Sequence, residues 1–294
     1  MITTNDFCKT QYGEKLYKLA LSGRFSCPNR DGRIGYGGCI FCSEGGSGDF
    51  AENCDLPIED QIENAKKRVS AKFKGSRYIA YFQSFTNTYA SIDYIKSLFD
   101  KVAERDDIAV ISIATRPDCL PDDVIDYLAD LQKRKPLWVE LGLQTTKPES
   151  VEYIRRGYED SIYDEAVYKL NTLGIHTITH VILGLPYENK DDMLATVSHV
   201  CDAGSKGIKL QLLHVLDGTD LASDYKNGKF NTLEMDEYID ILIECIRILP
   251  PDMVVHRMTG DGPKKLLIAP LWSGDKKTVI NKINARLRSE GMII

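Results

Sequence analysis

Cys27, Cys39 and Cys42 lie close together in the segment CPNRDGRIGYGGCIFC. Thiolates are soft ligands that suit zinc or an iron–sulfur cluster. A closed zinc site normally has four protein ligands, and no fourth Cys or His stands at ligand spacing from these three. Three thiolates on a four-iron cluster leave one iron open to a small molecule. The segment therefore predicts a four-iron cluster at which a small molecule binds.

The glycines between these cysteines support the same interpretation. They let the backbone turn tightly around a bulky cluster and direct N–H groups at its sulfides. The segment has no apolar periodicity, so it does not belong to the core. A zinc knuckle and a redox-active CxxC pair are the alternatives. The glycines are Gly32, Gly35, Gly37 and Gly38.

The Cys-x11-Cys-x2-Cys spacing, with Phe41 before the last cysteine, resembles the radical S-adenosylmethionine (radical SAM) superfamily, whose usual signature has a shorter first gap. The longer gap, with CPNRDG and GGCIFC, resembles the YhcC/YtqA-like branch, which is related to the radical domain of the Elongator catalytic subunit. The resemblance implies a 4Fe-4S cluster on Cys27, Cys39 and Cys42, with S-adenosylmethionine as the second cofactor. It also implies reductive cleavage of S-adenosylmethionine to a 5′-deoxyadenosyl radical, with an electron donor such as flavodoxin or ferredoxin.

Runs rich in β-branched and aromatic residues alternate with helical stretches, which predicts an α/β fold with a parallel sheet. The predicted strands are 15–21, 77–83, 108–115, 137–144, 176–183 and 208–214. The predicted helices are 59–72, 92–103, 122–133, one within 148–156, 164–173 and 191–203. These six βα units resemble the partial (β/α)6 TIM barrel of the superfamily.

The chain divides at the end of the sixth predicted strand. Residues 1–214 form the predicted barrel, with the cluster loop at 27–42. Residues 215–294 form a C-terminal extension that is expected to close the open side of the barrel within the same structural domain. The extension contains a polar loop, DGTDLASDYKNGK, a helix at 234–249, a short apolar run at 253–256 and a basic helix at 276–288.

Polar residues follow the predicted strands, and in barrels of this kind the reacting groups lie at the carboxyl ends of the strands. Gln83 and Thr86 stand where the superfamily often has a glycine pair that binds the amino group of S-adenosylmethionine. The alternative is a polar turn in which Asn87 and Thr88 cap the next helix. Arg116 could form a bidentate contact with the ligand carboxylate or be an ordinary surface residue.

The fourth and fifth predicted strands carry further candidate cofactor ligands. By strand alternation, Glu140, Gly142 and Gln144 share one face, and a glycine between two polar residues suggests that a ligand lies over it. By resemblance to oxygen-independent coproporphyrinogen oxidases, Gln144 lies near the adenosyl ligand and Arg156 meets its carboxylate. His180, in HVILGLP, either lines the pocket or is a satisfied core or surface residue.

The candidate substrate ligands are Gln211, His214, Arg257 and Asp261. Gln211 and His214 lie on opposite faces of the sixth predicted strand, so both point inward only if that strand bends. Arg257 and Asp261 belong to HRMTGDGP, which resembles the C-terminal signature of the branch. An ordinary loop is the alternative for this segment.

The composition is that of an ordinary folded protein, with 294 residues, 43% hydrophobic and 27% charged. No apolar run approaches the roughly 20 residues of a membrane span, and the N-terminus lacks the regions of a signal peptide. The scattered remaining cysteines suit a reducing compartment, so we expect a cytoplasmic protein without membrane association. A net charge of −6 argues against non-specific coating of nucleic acid but allows a local basic surface.

Kinship with the Elongator radical domain implies a substrate in tRNA, the side chain at carbon 5 of the wobble uridine. Conversion of carboxymethylaminomethyl to aminomethyl is one concrete reaction. A radical SAM enzyme acting on a small metabolite and a non-catalytic zinc-binding RNA module are the alternatives. Basic residues that could meet RNA phosphates, or form a solvated surface, are Lys264, Lys265, Lys276, Lys277, Lys282, Arg286 and Arg288.

Overall fold

The computed structural model describes residues 1–46, 48–73, 75–260 and 262–292, and its centre is an eight-stranded parallel sheet. The strands of the sheet are β1 (Ile2–Thr3), β2 (Tyr17–Leu21), β3 (Tyr78–Phe82), β4 (Ile108–Thr115), β5 (Leu137–Gln144), β6 (His176–Leu183), β7 (Gly207–Leu212) and β9 (Val254–Arg257). Their order is β1-β9-β7-β6-β5-β4-β3-β2. A separate antiparallel pair consists of β8 (Val215–Leu216) and β10 (Leu267–Ala269).

Helices follow most of the strands along the chain. They are α1 (Thr4–Tyr12), α2 (Ile58–Val69), α3 (Ile92–Ala103), α4 (Asp122–Arg134), α5 (Pro148–Tyr153), α6 (Asp160–Thr172), α7 (Lys190–Asp202), α8 (Asp220–Lys226), α9 (Met235–Arg247) and α10 (Lys276–Ser289). Within the described ranges, none of these helices is both long enough and apolar enough to cross a membrane.

The predicted α/β partial barrel is confirmed, and the sheet curls as a half-barrel. All eight residues of β4 are buried, because the sheet is covered on both faces. The sheet also contains β1 and β9, which the prediction of six strands did not include. The apolar run predicted at 253–256 forms β9, since Val254 and Val255 are buried between neighbouring strands. Strand β1 has only two residues, too few for a sequence pattern.

Two predictions of local structure are wrong. The sixth predicted strand extends to residue 214, but β7 ends at Leu212 and the chain then turns toward β8. The polar loop after residue 216 contains α8, where only a loop was predicted. Thr219 caps this helix by accepting a hydrogen bond from the Ala222 backbone N–H, and Leu221 and Ala222 are buried. Burial of these two apolar residues outweighs the turn-forming composition of the segment.

The segment from 215 onward contributes to both the sheet and the helical layer. Strand β9 lies between β7 and β1, and α10 packs on α9 through Val279, Ile283 and Leu287. Two imidazoles from separate parts of the chain also meet here, His176 of β6 and His256 of β9, with their Nε2 atoms 3.1 Å apart.

Gly207 of β7 makes room for this contact. A Cβ atom at Gly207 would lie 2.6 Å from Cδ2 of His256 and 3.2 Å from Nε2 of His176. A residue with a side chain at this position would therefore push the two imidazoles apart. The glycine allows β6 and β9 to interact directly across the intervening strand.

Candidate active site

One pocket lies at the carboxyl ends of the central strands, and the cluster loop forms part of its wall. Asp261 lies outside the described residues, so its position is not assigned. Every other candidate site residue lines this pocket: Cys27, Cys39, Cys42, Gln83, Thr86, Arg116, Glu140, Gln144, Arg156, His180, Gln211, His214 and Arg257. The structure thus brings together residues that are separated by up to 230 positions in the sequence, from Cys27 to Arg257. Their individual roles remain predictions.

The cluster loop is held by its own backbone hydrogen bonds. The Arg30 N–H donates to the Cys27 carbonyl at 2.8 Å, and the Cys42 N–H donates to the Cys39 carbonyl at 2.9 Å. Gly38 has a φ of +88°, and a Cβ atom there would lie 2.9 Å from Nε of Arg30. This glycine therefore has the function predicted for it, which is to allow a tight turn beside the cysteines.

Asn29 anchors the loop to the rest of the barrel, although the sequence did not single it out. It is buried, and its Nδ2 donates to the Arg155 carbonyl at 2.6 Å and to Sγ of Cys39 at 3.4 Å. An N–H donated to a ligand sulfur is one of the contacts that tune an iron–sulfur cluster. A polar residue directly after Cys27-Pro28 was the available signal.

The three cysteines fit a cluster in which each thiolate binds a different iron. Burial raises the pKa of the Cys39 thiol to about 12, and the neighbouring Cys42 adds to the shift. The thiol is therefore protonated unless a bound metal takes the place of its proton. Among the side chains that the structure describes, no three Cys, His, Asp or Glu converge closely enough to bind one metal ion. In a cubane cluster each thiolate binds a different iron, so such convergence is not required.

Gln144 presents an acceptor to the pocket at the end of β5. The pairing of β5 with β6 shifts register between Gly142 and Gln144, and Gln144 has a φ of +71°. Its Oε1 is buried and has no hydrogen-bond partner among the described residues. A Cβ atom at Gly142 would lie 2.8 Å from Nε2 of Gln144. An unsatisfied buried amide oxygen beside a glycine fits a bound ligand that supplies the missing donor.

The loop after β3 is tied to β4. The Asn87 Nδ2 donates to the Phe82 and Ala114 carbonyls at 3.1 and 2.8 Å. The alternative that Asn87 and Thr88 cap the next helix is wrong, because Ser91 caps α3. These hydrogen bonds hold Thr86, which is buried, in the wall of the pocket.

Arg116 and Arg156, two of the arginines that line the pocket, differ in their contacts with the protein. Arg116 is buried, so the surface alternative is wrong, and it forms a bidentate pair with Asp118 at 2.9 and 2.8 Å. That pair uses Nε and Nη2, and no hydrogen bond of Nη1 is recorded in the part of the chain that the structure covers. Arg116 is therefore able to turn a donor toward a ligand carboxylate.

The guanidinium of Arg156 makes several contacts with the protein. Its N–H groups donate to the carbonyls of Leu143, Thr145 and Tyr158, and it pairs with Asp160 at 2.7 Å. Four of these contacts are hydrogen bonds to carbonyls, whereas Oδ1 of Asp160 accepts no hydrogen bond from the described residues. Arg156 therefore holds the end of β5, and its contact with the carboxylate of S-adenosylmethionine stays a prediction.

A buried charge cluster lies beneath the pocket around Glu140, which is fully buried. Its carboxylate pairs with Lys209, accepts from Lys18 Nζ at 3.0 Å and Ser112 Oγ at 2.8 Å, and contacts His180 Nε2 at 2.7 Å. Burial alone would raise the pKa of Glu140, but the charges of Lys18 and Lys209 hold it well below its ordinary value. Glu140 is therefore an ionised group that organises its protein neighbours, with no lone pair clearly left for a cofactor.

His180 lines the pocket, which is one of the two positions that the sequence analysis considered for it. Burial lowers the pKa of His180 to about 4, so the imidazole is neutral near pH 7. Because Glu140 is ionised, the proton of His180 lies on Nε2 and Nδ1 is left as an acceptor. Lys209, which the sequence analysis missed, also donates to the Tyr81 hydroxyl at 2.9 Å. A lysine in the middle of the apolar strand GIKLQL was the signal that could have revealed it.

The substrate end of the pocket depends on the turn after β7. Gln211 and His214 both line the pocket. The strand ends at Leu212 and the chain then bends, which is the condition under which both residues were expected to point inward. Gly260 and Gly262 pack directly against the His214 ring, and a Cβ atom at Gly262 would lie 3.0 Å from its Nδ1. The loop after β9 is thereby fixed over the pocket.

The basic residues of α10 are partly neutralised. Lys282 pairs with Asp236 of α9 at 2.9 Å, and Arg286 pairs with Asp240 of α9 at 3.1 Å. These pairs are exposed and each contributes little to stability, but they reduce the positive potential of the helix surface. The helix is therefore a weaker candidate for phosphate contacts than the sequence suggested.

A cysteine loop over the carboxyl ends of a curled parallel sheet, beside a pocket that contains charged and amide side chains, is the arrangement of a barrel enzyme. Residues 30–200 match the family model described as the Radical SAM superfamily, and residues 205–289 match the Radical_SAM C-terminal domain. The chain belongs to the radical SAM superfamily and is a radical SAM enzyme, as the resemblance implied.

Relatives of similar length support the same branch. The chain is 47% identical to the uncharacterized protein YtqA of Bacillus subtilis over 289 residues, covering 98% of this chain and 90% of that protein. It is 34% identical to protein YhcC of Escherichia coli over 283 residues, covering 96% of this chain and 90% of that protein. The predicted resemblance to the YhcC/YtqA-like branch is confirmed.

The relation to Elongator proteins is more distant. A tRNA uridine(34) acetyltransferase of Methanocaldococcus jannaschii is 26% identical over 178 residues, which are 59% of this chain and 31% of that protein. The solved structure of Elp3 from Methanocaldococcus infernus, lacking N-terminal residues, superposes with a TM-score of 0.68 at 16% identity. It covers 100% of this chain and 65% of that one. At this identity the superposition shows a common fold.

Proposed function

We propose that this enzyme modifies the side chain at carbon 5 of a tRNA wobble uridine, with conversion of carboxymethylaminomethyl to aminomethyl as the concrete reaction. The observation that carries the proposal is the single pocket in which the cluster cysteines and the candidate substrate residues meet. When bound, a 4Fe-4S cluster and S-adenosylmethionine would supply a 5′-deoxyadenosyl radical that removes a hydrogen atom from the substrate.

The residues of the chain hold these groups and exclude water. Cys27, Cys39 and Cys42 would bind the cluster, and the Asn29 amide would donate to the sulfur of Cys39. The buried Oε1 of Gln144 would accept a hydrogen bond from S-adenosylmethionine. The buried walls of the pocket keep solvent from the reactive centre.

Charged groups at the pocket suit ligands that carry carboxylates. Arg116 would orient the carboxylate of S-adenosylmethionine through its guanidinium, which is buried beside Asp118. Arg257, at the substrate end, would meet the carboxylate of a carboxymethylaminomethyl group. His180, held by Glu140, would accept a hydrogen bond at Nδ1.

The choice of tRNA rests on the partial relative whose name includes tRNA uridine(34), and on the fold that this chain has in common with Elp3. The reaction also needs a one-electron donor, for which a flavodoxin or ferredoxin of the cytoplasm is the proposed partner. The proposed partners are therefore tRNA and a small redox protein.

The experiment compares tRNA nucleosides from cells with and without the gene. We expect the carboxymethylaminomethyl nucleoside to accumulate and the aminomethyl nucleoside to disappear when the gene is deleted. Anaerobically reconstituted enzyme, given reductant and S-adenosylmethionine, should restore the aminomethyl nucleoside in tRNA from the deletion cells. Unchanged nucleosides, together with 5′-deoxyadenosine release that tRNA does not stimulate, would favour a small metabolite as the substrate.

A further inference from the structure

Phe50 is an exposed aromatic residue that lines the pocket. Its residue surface is 55% exposed, so the ring lies where the pocket opens to solvent. The backbone beside it is held in place, since the Ala51 N–H donates to the Gly48 carbonyl at 2.8 Å and the Glu52 N–H donates to the Ala20 carbonyl at 3.1 Å. An exposed aromatic ring at the opening of a pocket offers a surface on which a ligand that enters there can stack.

Lys264 and Lys265 follow another residue of the pocket wall. They directly follow Pro263, which lines the pocket, and both are exposed. The Leu266 and Leu267 N–H groups donate to the Pro263 carbonyl at 2.9 and 3.1 Å, which places the two lysines in a tight turn. The turn is also fixed from outside, because the Asp217 N–H donates to the Leu266 carbonyl at 2.7 Å.

The charges of these lysines are less compensated than those of Lys282 and Arg286 on α10. Lys265 forms no ion pair with any residue of the described ranges, and Lys264 senses the charge of Asp275 without a recorded hydrogen bond to it. In contrast, Lys282 and Arg286 of α10 pair directly with acids of α9. The two lysines of the Pro263 turn are therefore exposed positive charges next to the pocket wall that are available to a polyanion.

We propose that Phe50 and the turn of Lys264 and Lys265 form an RNA-binding rim around the pocket. Phe50 stacks on a base of a single-stranded segment, and the two lysines contact its phosphates. Aromatic rings bind unstacked bases and lysines follow the backbone in single-stranded RNA recognition. A nucleotide turned out of its loop then reaches the pocket between these contacts. This inference rests on the proposed tRNA function and names the surface that carries it.

The charge contacts are tested by the salt dependence of tRNA binding to the holoenzyme. The Lys264→Glu, Lys265→Glu double variant should reduce the slope of log affinity against log salt by about 1.4, since each single-strand phosphate contact contributes about 0.7. Lys67→Glu with Lys72→Glu is the matched control, because it changes the net charge by the same amount. Both lysines are exposed, and they lie at the C-terminal end of α2 and just beyond it. The control should leave the slope nearly unchanged.

The α10 residues provide the competing variant. Lys277→Glu with Lys282→Glu makes the same change of charge on α10, which carries most of the basic residues that the sequence offered as phosphate contacts. If the slope of log affinity against log salt falls in this variant and is unchanged in the Lys264, Lys265 variant, the RNA-binding rim is assigned to the wrong surface.

The stacking contact is tested at Phe50. Phe50→Ala should weaken tRNA binding by about 5- to 150-fold, in the range of a lost base–aromatic stack, and Phe50→Trp should restore it. Tyr168→Ala is the control, because Tyr168 is an aromatic residue on α6 that is 69% exposed and does not line the pocket. An unchanged thermal unfolding midpoint establishes that each variant is folded.

The possible results distinguish a failure of the RNA-binding rim from a failure of the proposed function. If the native enzyme binds tRNA and the Phe50 and Lys264, Lys265 variants bind it equally well, the rim is wrong while the proposed function stands. If the native enzyme fails to bind tRNA at low salt, both are wrong. Loss of binding confined to the rim variants, with recovery in Phe50→Trp, supports the rim.

Discussion

Gln144 and the cysteines show how single residues prepare the pocket for its cofactors. Gln144 keeps a buried acceptor unsatisfied by the protein, and Cys39 is held beside the amide of Asn29. The arrangement at Gln144 costs free energy in a protein without ligands, because a buried polar atom without a partner has lost its hydration. Binding of the cofactors would recover that cost.

The cysteines give the first prediction at this scale. Cys27→Ala, Cys39→Ala and Cys42→Ala should each lose the cluster, because each removes one of the thiolate ligands. Iron content and the visible absorption of anaerobically reconstituted protein measure the loss. Cys54→Ala is the control, since Cys54 does not line the pocket and the hydrogen bond that it accepts from Arg24 is to its backbone carbonyl. A cluster retained in any of the first three variants would contradict the ligand assignment.

Gln144 gives the second prediction. Gln144→Ala should weaken S-adenosylmethionine binding by about 2- to 10-fold, which corresponds to a neutral hydrogen bond of about 0.5–1.5 kcal/mol. Equilibrium binding to protein with an intact cluster measures the change. Gln11→Ala, at an exposed position outside the pocket, should leave the affinity as it is. Equal affinities in all three proteins would remove Gln144 from the cofactor site.

At the scale of the elements, most of the predicted site residues lie at or just after the ends of strands. The middles of the strands carry further charged residues whose contacts with the site were not predicted from the sequence. The cysteine spacing and the polar residues after strands are local features, so they could be read from the sequence. Lys18 and Lys209 lie on strands that are not neighbours in the sheet, yet both contact Glu140. Such a contact depends on how the sheet curls, which no local pattern of residues specifies.

The same limit explains the errors in local structure. The shift of register between Gly142 and Gln144 comes from the pairing of β5 with β6, and Arg156 reaches the carbonyls beside it only in the folded chain. Helix α8 forms because Leu221 and Ala222 find apolar neighbours. Sequence alternation placed Gln144 correctly in the pocket but could not show these tertiary contacts.

The Glu140 cluster gives a prediction at this scale. Glu140→Gln should lower the free energy of unfolding by about 3–5 kcal/mol, because it leaves buried cations without their anion. Adding Lys209→Met should recover part of the loss, since one of those cations is then removed. Urea unfolding measures both variants. Glu63→Gln, in a half-exposed cluster with Lys66 and Arg105, should change stability by less than about 1 kcal/mol.

At the scale of the whole molecule, the contact of His176 with His256 links the sixth strand to the C-terminal segment. Burial lowers the pKa of His176 to about 4 and holds that of His256 well below its ordinary value. Both rings are therefore neutral in the folded chain at pH 7, whereas in the unfolded chain they gain protons below about pH 6.5. Their contribution to stability is complete above that pH and is lost as the pH falls toward 4.

The pair predicts a steep loss of stability in acid. Each imidazole should contribute a slope of about 1.4 kcal/mol per pH unit between pH 6.5 and 4, with greater stability at higher pH. Urea unfolding of the native protein and of His256→Gln at several pH values measures this slope. The stability of the variant should depend less on pH than that of the native protein. His180, whose pKa is also lowered, should still contribute to the pH dependence of both proteins. Identical pH dependence in the two proteins would show that the pair contributes nothing.

The position of β1 bears on how the molecule is made. β1 pairs with β9, so Ile2 lies opposite Val254 in the finished sheet. During synthesis the first residues leave the ribosome long before their partner strand exists, and at the usual rates of about 5–20 residues per second they wait for many seconds. Arg257, at the end of β9, and Gly260 are also added late. The nascent chain therefore exposes its cysteine loop before the last wall of the pocket is in place.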